Sequence, residues 1–311
     1  MKNWILFSVA LAAAVSVRGE ESLQDIVDDA WQGAQGYRIS GRLTEIRPAP
    51  AKNSGRLATL YRNIRMLFTS GEEGLVTCRV DGNEWSPRID GHGYWVLAGS
   101  QPLDLTPGWH EIKTEPAAST QAGMLVAEPR NALGVISDID DTILVSDVMS
   151  KRALLANSLT VPAENREAVP GMAALYAHLL KENPAPESSA VFYVSSSPRQ
   201  LTDNLRRFLQ ANGFPRGVLQ LKGIASGSGD TLGEHKAYKL RRIETILAAF
   251  PQTRFYFFGD DAERDPEIYA EVQAKHPTRV SGVWIRRINP DAQRPLFPGQ
   301  HDVRELLDAV K

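Results

Sequence analysis

Two aspartates near the middle of the chain form its strongest chemical feature. Asp138 and Asp140 follow the apolar run Leu133–Ser137 and are followed by Thr142. Two carboxylates held in one loop can share a metal ion and a phosphate while doing different chemistry. One attacks phosphorus, and the other protonates the leaving oxygen and then activates water. An acidic turn or a calcium-binding loop would also satisfy this pattern.

Three consecutive serines follow a second apolar run, Ala190–Val194, and precede Pro198. Serine hydroxyls and the free N–H groups of a helix start both bind phosphate oxygens, so Ser195 and Ser196 are candidate substrate ligands. A serine that only caps the helix would satisfy the same pattern. The motif therefore predicts either a phosphate-binding segment or a helix cap.

Lys239 opens the predicted helix Lys239–Phe250, whose apolar residues recur at helical spacing. The helix dipole disfavours a cation at a helix start, so the charge of Lys239 is expected to serve another purpose, such as binding a phosphate. The alternative is a solvated lysine in a basic stretch, where Lys236 is a second candidate for the same role.

A cluster of acids follows the apolar run Arg254–Phe258, directly after Gly259, and it contains Asp260, Asp261 and Asp265. Carboxylate oxygens suit a hard divalent cation, and Mg²⁺ needs few protein ligands because it keeps several waters. Acids crowded at a strand end repel one another unless a cation is present. We therefore predict a metal site here, with a solvated acidic loop as the alternative.

The elements that carry these motifs alternate between strand and helix over residues 131–311. The strands are expected at Leu133–Ser137, Ala190–Val194, Arg254–Phe258 and Val280–Ile285, and the helices at Gly171–Lys181, Pro198–Leu209, Lys239–Phe250 and around Val303–Val310. This alternation predicts an α/β fold with a doubly wound parallel sheet and right-handed crossovers. Ligands bind beyond the carboxyl ends of such strands, where the four motifs lie.

Residues 20–130 instead consist of short apolar runs separated by turn residues. The runs are Tyr37–Leu43, Gly74–Val80, Gly93–Leu97, Trp109–Lys113 and Gly123–Ala127. Regular short runs predict an N-terminal all-β domain, a sandwich or a barrel. We find no catalytic cluster in this half and expect its aromatic residues to be core residues rather than a ligand platform; they are Trp85, Tyr94, Trp95 and Trp109.

The first residues predict export. A basic start at Met1–Asn3 is followed by the apolar, acid-free run Trp4–Val17 and then by small residues, which indicates a signal peptide over residues 1–19 and a periplasmic or extracellular protein. A short membrane anchor or a buried helix is the alternative.

Charge and cysteine content exclude several classes of protein. A formal net charge of -2 over 311 residues gives no broad field that attracts nucleic acid, so no nucleic-acid partner is expected. Cys78 is the only cysteine, which excludes an intramolecular disulfide and a cysteine metal cluster. We expect a buried structural thiol.

In their order along the chain, these motifs resemble the haloacid dehalogenase superfamily of phosphohydrolases. The matching positions are Asp138, Asp140, Thr142, Ser195, Lys239, Gly259, Asp260 and Asp265. More narrowly, four segments are similar to the phosphatidate phosphatase catalytic domain of the actin patch protein family, namely Val135–Ile143, Val169–Met172, Phe192–Pro198 and Gly259–Tyr269. Separate motifs agree in order over the second half of the chain, which makes the resemblance specific.

The resemblance implies a phosphomonoester hydrolase that works through an aspartyl phosphate. Asp138 would be the nucleophile and Asp140 the acid and base, with Thr142 in a supporting role. Ser195 and Lys239 would bind the phosphoryl group.

The resemblance also implies Mg²⁺ as the cofactor, at Asp260 and Asp265. We predict that Asp138 and the main-chain carbonyl of Asp140 are further ligands of this metal. The family usually has a smaller residue at the position of Asp261. Whether Asp261 or Asp265 supports the metal therefore stays open.

The spacing of the motifs predicts an open site, because neither residues 142–170 nor residues 195–239 leave room for a folded cap domain. An open site suits a large phosphomonoester, including a phospholipid head group reached by transient contact with a membrane surface. The apolar segment Leu154–Leu159 is a candidate for contact with acyl chains or for packing on the body of the protein. Phosphoproteins, nucleotides and sugar phosphates are alternative substrates. An inactive binding protein is the alternative class of protein. The sequence makes no prediction of the oligomeric state.

Overall fold

The computed structural model describes residues 23–45, 74–118, 121–145, 166–222, 235–289 and 294–310. The predicted signal peptide, the apolar segment Leu154–Leu159 and the glycine-rich segment Gly223–Gly229 lie outside these ranges. The described chain forms two sheets, one in each half of the sequence.

The N-terminal half folds into an eight-stranded sheet. Its strands are β1 (Leu23–Val27), β2 (Ala30–Gly33), β3 (Gly36–Glu45), β4 (Thr77–Val80), β5 (Asn83–Trp85), β6 (Tyr94–Gly99), β7 (Gly108–Glu115) and β8 (Ala122–Val126). Their order is β1-β3-β2-β8-β7-β4-β5, with β6 paired to β3, and every pair is antiparallel except β2 with β8. The predicted apolar runs all form strands, and β1, β2 and β5 add to them.

Strands from the whole sheet contribute to one core, which contains Ile39, Leu43, Met124 and the fully buried Trp95. Cys78 also lies in this core as a free thiol, which confirms the expected buried cysteine. The other aromatic residues expected in the core are only partly buried; they are Trp85, Tyr94 and Trp109.

Asp25 is a buried carboxylate in this core. The indole Nε1 of Trp95 donates to both carboxylate oxygens of Asp25, at 3.1 and 2.9 Å. Burial raises the pKa of Asp25 to about 7, although the hydrogen bond from Trp95 opposes that shift. A polar residue in the middle of β1 also breaks the apolar pattern by which a strand is recognised in sequence.

The C-terminal half contains a six-stranded sheet in which every pair is parallel. Its strands are β9 (Leu133–Ser137), β10 (Val191–Pro198), β11 (Val218–Lys222), β12 (Arg254–Asp260), β13 (Val280–Arg286) and β14 (Gln300–Asp302). The spatial order is β11-β10-β9-β12-β13-β14. After β9, the chain adds β10 and β11 on one side and then β12, β13 and β14 on the other side. The order of the strands therefore reverses between β9 and β12, which makes this position a topological switch point.

Helices cover both faces of this sheet. They are α1 (Met172–Leu180), α2 (Thr202–Ala211), α3 (His235–Ala249), α4 (Asp265–Lys275) and α5 (Val303–Val310). Residues of α1, α2 and α5 share a core with Val135 of β9, whereas α3 and α4 share a core with the next residue, Ile136. The predicted parallel α/β arrangement is therefore confirmed. No helix within the described ranges is long and apolar enough to cross a membrane.

Two sequence-based boundaries differ from the structure in ways that matter for the site. The helix predicted to start at Lys239 begins at His235, so Lys239 lies inside α3 and the argument from a helix start was wrong. The strand predicted to end at Val194 continues as β10 through Pro198, so the serines lie on a strand.

Asp25 makes the stability of the protein depend on pH. Its folded pKa of about 7 lies above the ordinary value of 3.8, so the folded state holds a proton that the unfolded state releases. The free energy of unfolding should therefore fall by roughly 2 to 4 kcal/mol as the pH rises from about 4 to about 7, and this contribution should then level off. Urea unfolding across this range measures the slope.

Asp25→Asn should make that slope shallower, because asparagine has no proton to lose; the raised pKa values of the site carboxylates keep their own share of the slope. Asp104→Asn, at an exposed position between β6 and β7, is the matched control and should keep the wild-type slope. Equal slopes in wild-type protein and Asp25→Asn would contradict the assignment.

Candidate active site

Three buried carboxylates converge at the switch point of the parallel sheet. Asp138 follows β9, Asp260 ends β12 and Asp265 begins α4. The two strands are hydrogen-bonded neighbours, and the Asp138 N–H donates to the Phe258 carbonyl at 2.9 Å. One oxygen from each carboxylate lies within 4.8 Å of the others. Sheet topology therefore brings together acids that are far apart in the sequence.

Lys239 is the cation within this cluster. Its Nζ donates to Asp138 Oδ1 at 2.7 Å and to Asp265 Oδ1 at 2.6 Å, and the residue is only 2% exposed. Lys236 lies toward the surface instead and pairs with Glu271 at 2.7 Å. Of the two candidate lysines, the structure brings Lys239 to the predicted nucleophile.

The cluster buries more negative than positive charge. Burial, together with repulsion among the carboxylates, raises the pKa of Asp138 well above its ordinary value and that of Asp260 to about 8. Burial also raises the pKa of Asp265. For Lys239, burial lowers the pKa, but Asp138 and Asp265 outweigh it and the net shift is upward. A surplus of anionic oxygen ligands is the chemistry that a hard divalent cation requires, so these residues fit Mg²⁺.

The carboxylate of Asp260 is held in place by the loop that follows it. Its Oδ1 accepts the N–H groups of Ala262 at 2.7 Å and Glu263 at 3.3 Å. Thr142 Oγ1 lies 3.5 Å from Asp260 Oδ2 and donates to Asp138 Oδ2 at 3.3 Å. Thr142 therefore bridges the two strand ends through its hydroxyl.

Gly259 allows Asp265 to approach. A Cβ atom at Gly259 would lie 2.6 Å from the Asp265 Cβ and 2.7 Å from its Oδ2. No side chain fits there while Asp265 stays in place. The glycine that precedes the acidic cluster is therefore a steric requirement of the cluster.

Asp261 turns away from the carboxylate cluster. Its carboxylate accepts the Arg287 guanidinium at 2.7 Å and the N–H groups of Ile288 and Asn289 at 2.6 and 2.7 Å. Asp261 thus fixes the chain that leaves β13, and it is Asp265 that contributes to the cluster.

Asp140 lies opposite the serine segment, apart from the three-carboxylate cluster. Its Oδ2 accepts hydrogen bonds from Ser195 Oγ at 3.0 Å and Ser197 Oγ at 2.8 Å. The Ser197 N–H in turn donates to Ser195 Oγ at 2.9 Å. The two predicted catalytic carboxylates therefore have different surroundings, a lysine for Asp138 and hydroxyls for Asp140.

Ser197 was not among the site residues predicted from the sequence. Side chains alternate along a strand, so Ser195 and Ser197 share a face of β10 whereas Ser196 points away from it. The Ser196 hydroxyl is buried and has no hydrogen-bond partner among the described residues. Had the alternation of side chains along the strand been extended through the three serines, Ser197 would have been predicted to lie beside Ser195.

The loop that carries Asp140, from Ile139 to Leu144, is fixed by its own backbone and by one arginine. The N–H groups of Ile143 and Leu144 donate to the Ile139 carbonyl at 3.0 and 3.1 Å, and Asp141 has a left-handed φ of 61°. Arg286, at the end of β13, donates to the Asp141 carbonyl at 2.6 Å. No sequence motif singles out Arg286, because its role depends on the pairing of β12 with β13.

Residues 133–287 match the family described as "Phosphatidate phosphatase APP1, catalytic domain". The phosphatidate phosphatase APP1 of Saccharomyces cerevisiae is 30% identical over 155 residues, which is 50% of this chain and 26% of the yeast protein. An uncharacterised protein of Schizosaccharomyces pombe is 26% identical over 163 residues, 52% of this chain and 26% of that protein. The chain thus spans about a quarter of the length of these relatives.

Among solved structures, a carbohydrate acetylesterase from Xanthomonas citri is 11% identical with a TM-score of 0.30, and the match covers 93% of this chain and 73% of that one. A TM-score this low supports no conclusion about fold or function. The sequence match and the positions of the motif residues are the basis for assignment. Through residues 133–287, the chain belongs to the APP1 family of phosphatidate phosphatase catalytic domains, a family of phosphatases.

Proposed function

We propose that the protein is a Mg²⁺-dependent phosphomonoester hydrolase whose nucleophile is Asp138. The observation that carries the proposal is the position of the Asp138 carboxylate, between the Lys239 ammonium and the Thr142 hydroxyl, with Asp260 and Asp265 alongside. An anionic nucleophile must approach an anionic phosphate, so cationic charge at this point lowers the barrier. We also propose that the protein belongs to the haloacid dehalogenase superfamily.

Asp138, Asp260 and Asp265 would hold the metal, and the main-chain carbonyl of Asp140 stays a predicted ligand. When bound, Mg²⁺ would neutralise part of the negative charge of the nucleophile and of the phosphate. Lys239 holds Oδ1 of Asp138, so Oδ2, which accepts the Thr142 hydroxyl, is the oxygen proposed to attack phosphorus and form an aspartyl phosphate as the bond from phosphorus to the leaving oxygen breaks.

Asp140 would then act on the leaving group. It donates a proton to the departing oxygen and later removes one from the water that hydrolyses the aspartyl phosphate. Two serine hydroxyls fix its carboxylate, Ser195 and Ser197. Ser195 and Lys239 are also proposed to bind the phosphoryl group.

The proposed substrate is a phosphomonoester on a large group, with phosphatidate first. The name of the yeast relative supports this choice, as does the lack of room for a cap domain in the sequence. We also propose that the protein is exported and that it contacts membrane surfaces transiently. Assay against phosphatidate vesicles and a panel of soluble phosphomonoesters distinguishes a lipid substrate from phosphoprotein, nucleotide or sugar phosphate substrates.

Asp138→Asn should lower kcat by at least ~1000-fold, because the amide is not a nucleophile. The melting temperature should stay equal or rise, since the substitution removes one of the repelling carboxylates. Phosphate release and a thermal melt measure the two effects. Retained turnover with an intact fold would contradict Asp138 as nucleophile.

EDTA should abolish activity, and Mg²⁺ should restore it. Mg²⁺ should also raise the melting temperature of the wild-type protein, because it neutralises the buried carboxylates, and Asp260→Asn should weaken that shift. Asp261→Asn is the matched control, since Asp261 contacts the segment after β13 and should leave the Mg²⁺ dependence of the shift unchanged. A melting temperature insensitive to Mg²⁺ would argue against the metal site.

Ser197→Ala should lower kcat by ~10-fold or more, because Asp140 loses one of the hydroxyls that orient it. Ser196→Ala should have the smaller effect, since its hydroxyl points away from Asp140. Steady-state kinetics of both variants compare these roles. A larger loss in Ser196→Ala would favour Ser196 as the substrate ligand.

A further inference from the structure

The N-terminal sheet contacts the catalytic half through an ion pair beside the serine segment. Arg199, the residue after Pro198, donates from Nε to Asp28 Oδ1 at 2.9 Å, and its Nη2 forms an ion pair with Asp28 Oδ2. Both side chains are only 18% exposed. One hydrogen bond and a neighbouring ion-pair contact therefore hold the guanidinium against the Asp28 carboxylate.

Both partners of this pair are held by further contacts. Asp28 accepts the Ser40 hydroxyl at 2.7 Å, and its N–H donates to the Ser40 carbonyl at 3.0 Å, which ties it to β3. The Arg199 guanidinium lies over the Tyr94 ring of β6, with 5.2 Å between Cζ and the ring centroid. The N-terminal sheet therefore presents a carboxylate and an aromatic face at a fixed position.

Arg199 is linked to the serines by a short, stiff piece of chain. Pro198 alone separates it from Ser197, and proline fixes its own φ. On the other side, the Arg199 carbonyl accepts the Thr202 hydroxyl at 2.7 Å, where α2 begins. A shift of Arg199 is therefore transmitted to the hydroxyls that hold Asp140.

We propose that Arg199 is a positioning residue through which the N-terminal sheet sets the geometry of the catalytic site. By pairing with Asp28, Arg199 fixes the end of β10, so that the hydroxyls of Ser195 and Ser197 meet Asp140. This inference rests on the proposed function, because it assigns a purpose to the hydrogen bonds of Asp140. It gives the N-terminal sheet a role in catalysis without a group of its own in the site.

A second ion pair across the same junction provides a matched control. Arg206 of α2 donates from Nε to Asp29 Oδ2 at 3.2 Å and from Nη2 to the Val27 carbonyl at 3.0 Å. It joins the same sheet to the catalytic half, but it lies further along the chain from the serines. Loss of this pair should affect the junction without moving the end of β10.

The experiment compares Arg199→Gln with Arg206→Gln in the full chain, using p-nitrophenyl phosphate at saturating Mg²⁺. Arg199→Gln should lower kcat by roughly 10- to 100-fold with KM changed less than about 3-fold, because small displacements of catalytic groups are costly. Arg206→Gln should keep kcat within about 2-fold at a similar melting temperature. Asp28→Asn should reproduce the Arg199→Gln loss, and the double variant should lose no more than Arg199→Gln alone.

Hydrogen–deuterium exchange gives a readout that does not depend on turnover. Amides of the segment Ser195–Leu201 should exchange faster in Arg199→Gln and Asp28→Asn than in Arg206→Gln. The inference is overturned if Arg199→Gln and Arg206→Gln lose activity equally, or if kcat and exchange in Arg199→Gln match the wild-type protein. Should the wild-type protein hydrolyse no phosphomonoester, the proposed function fails, and the exchange rates alone decide whether Arg199 positions the segment.

Discussion

The burial of three carboxylates around the Lys239 ammonium group is the interaction on which the rest of the described catalytic half depends. Asp138, Asp260 and Asp265 repel one another, and their desolvation is unfavourable, so they stay together only because the surrounding chain leaves them no other position. Two parallel strands deliver Asp138 and Asp260, and the start of α4 delivers Asp265. Lys239 offsets part of the charge, and the remaining surplus is what a divalent cation would neutralise.

Much of this arrangement could be predicted from the sequence, because central parallel strands are buried on both faces and appear as uninterrupted apolar runs. Leu133–Ser137 is such a strand, and its five residues are all buried. The residues that follow such strands must meet at one edge of the sheet, so the sequence alone predicts that Asp138 and Asp260 lie close together. Strands with mixed polarity gave no such signal, which is why β14, Gln-His-Asp, was missed.

What could not be predicted depends on contacts between distant parts of the chain. Arg199 looks like an ordinary surface arginine until Asp28 is placed opposite it, and Asp25 looks like a polar interruption until Trp95 donates to it. Lys239 was identified for a reason that proved wrong, since it lies inside α3. The packing of α3 on the sheet directs the Lys239 side chain into the site, and a local sequence pattern does not predict that packing.

Gly259 has a consequence for how this protein can vary. The position performs no chemistry, yet any side chain there would occupy the space that the Asp265 Cβ needs. Single substitutions at this codon therefore lead only to chains whose acidic cluster is displaced, and a second change at Asp265 cannot restore it without removing a carboxylate. As long as the three acids are kept, steric contact with Asp265 excludes a side chain at position 259, while the surrounding loop residues can still be substituted.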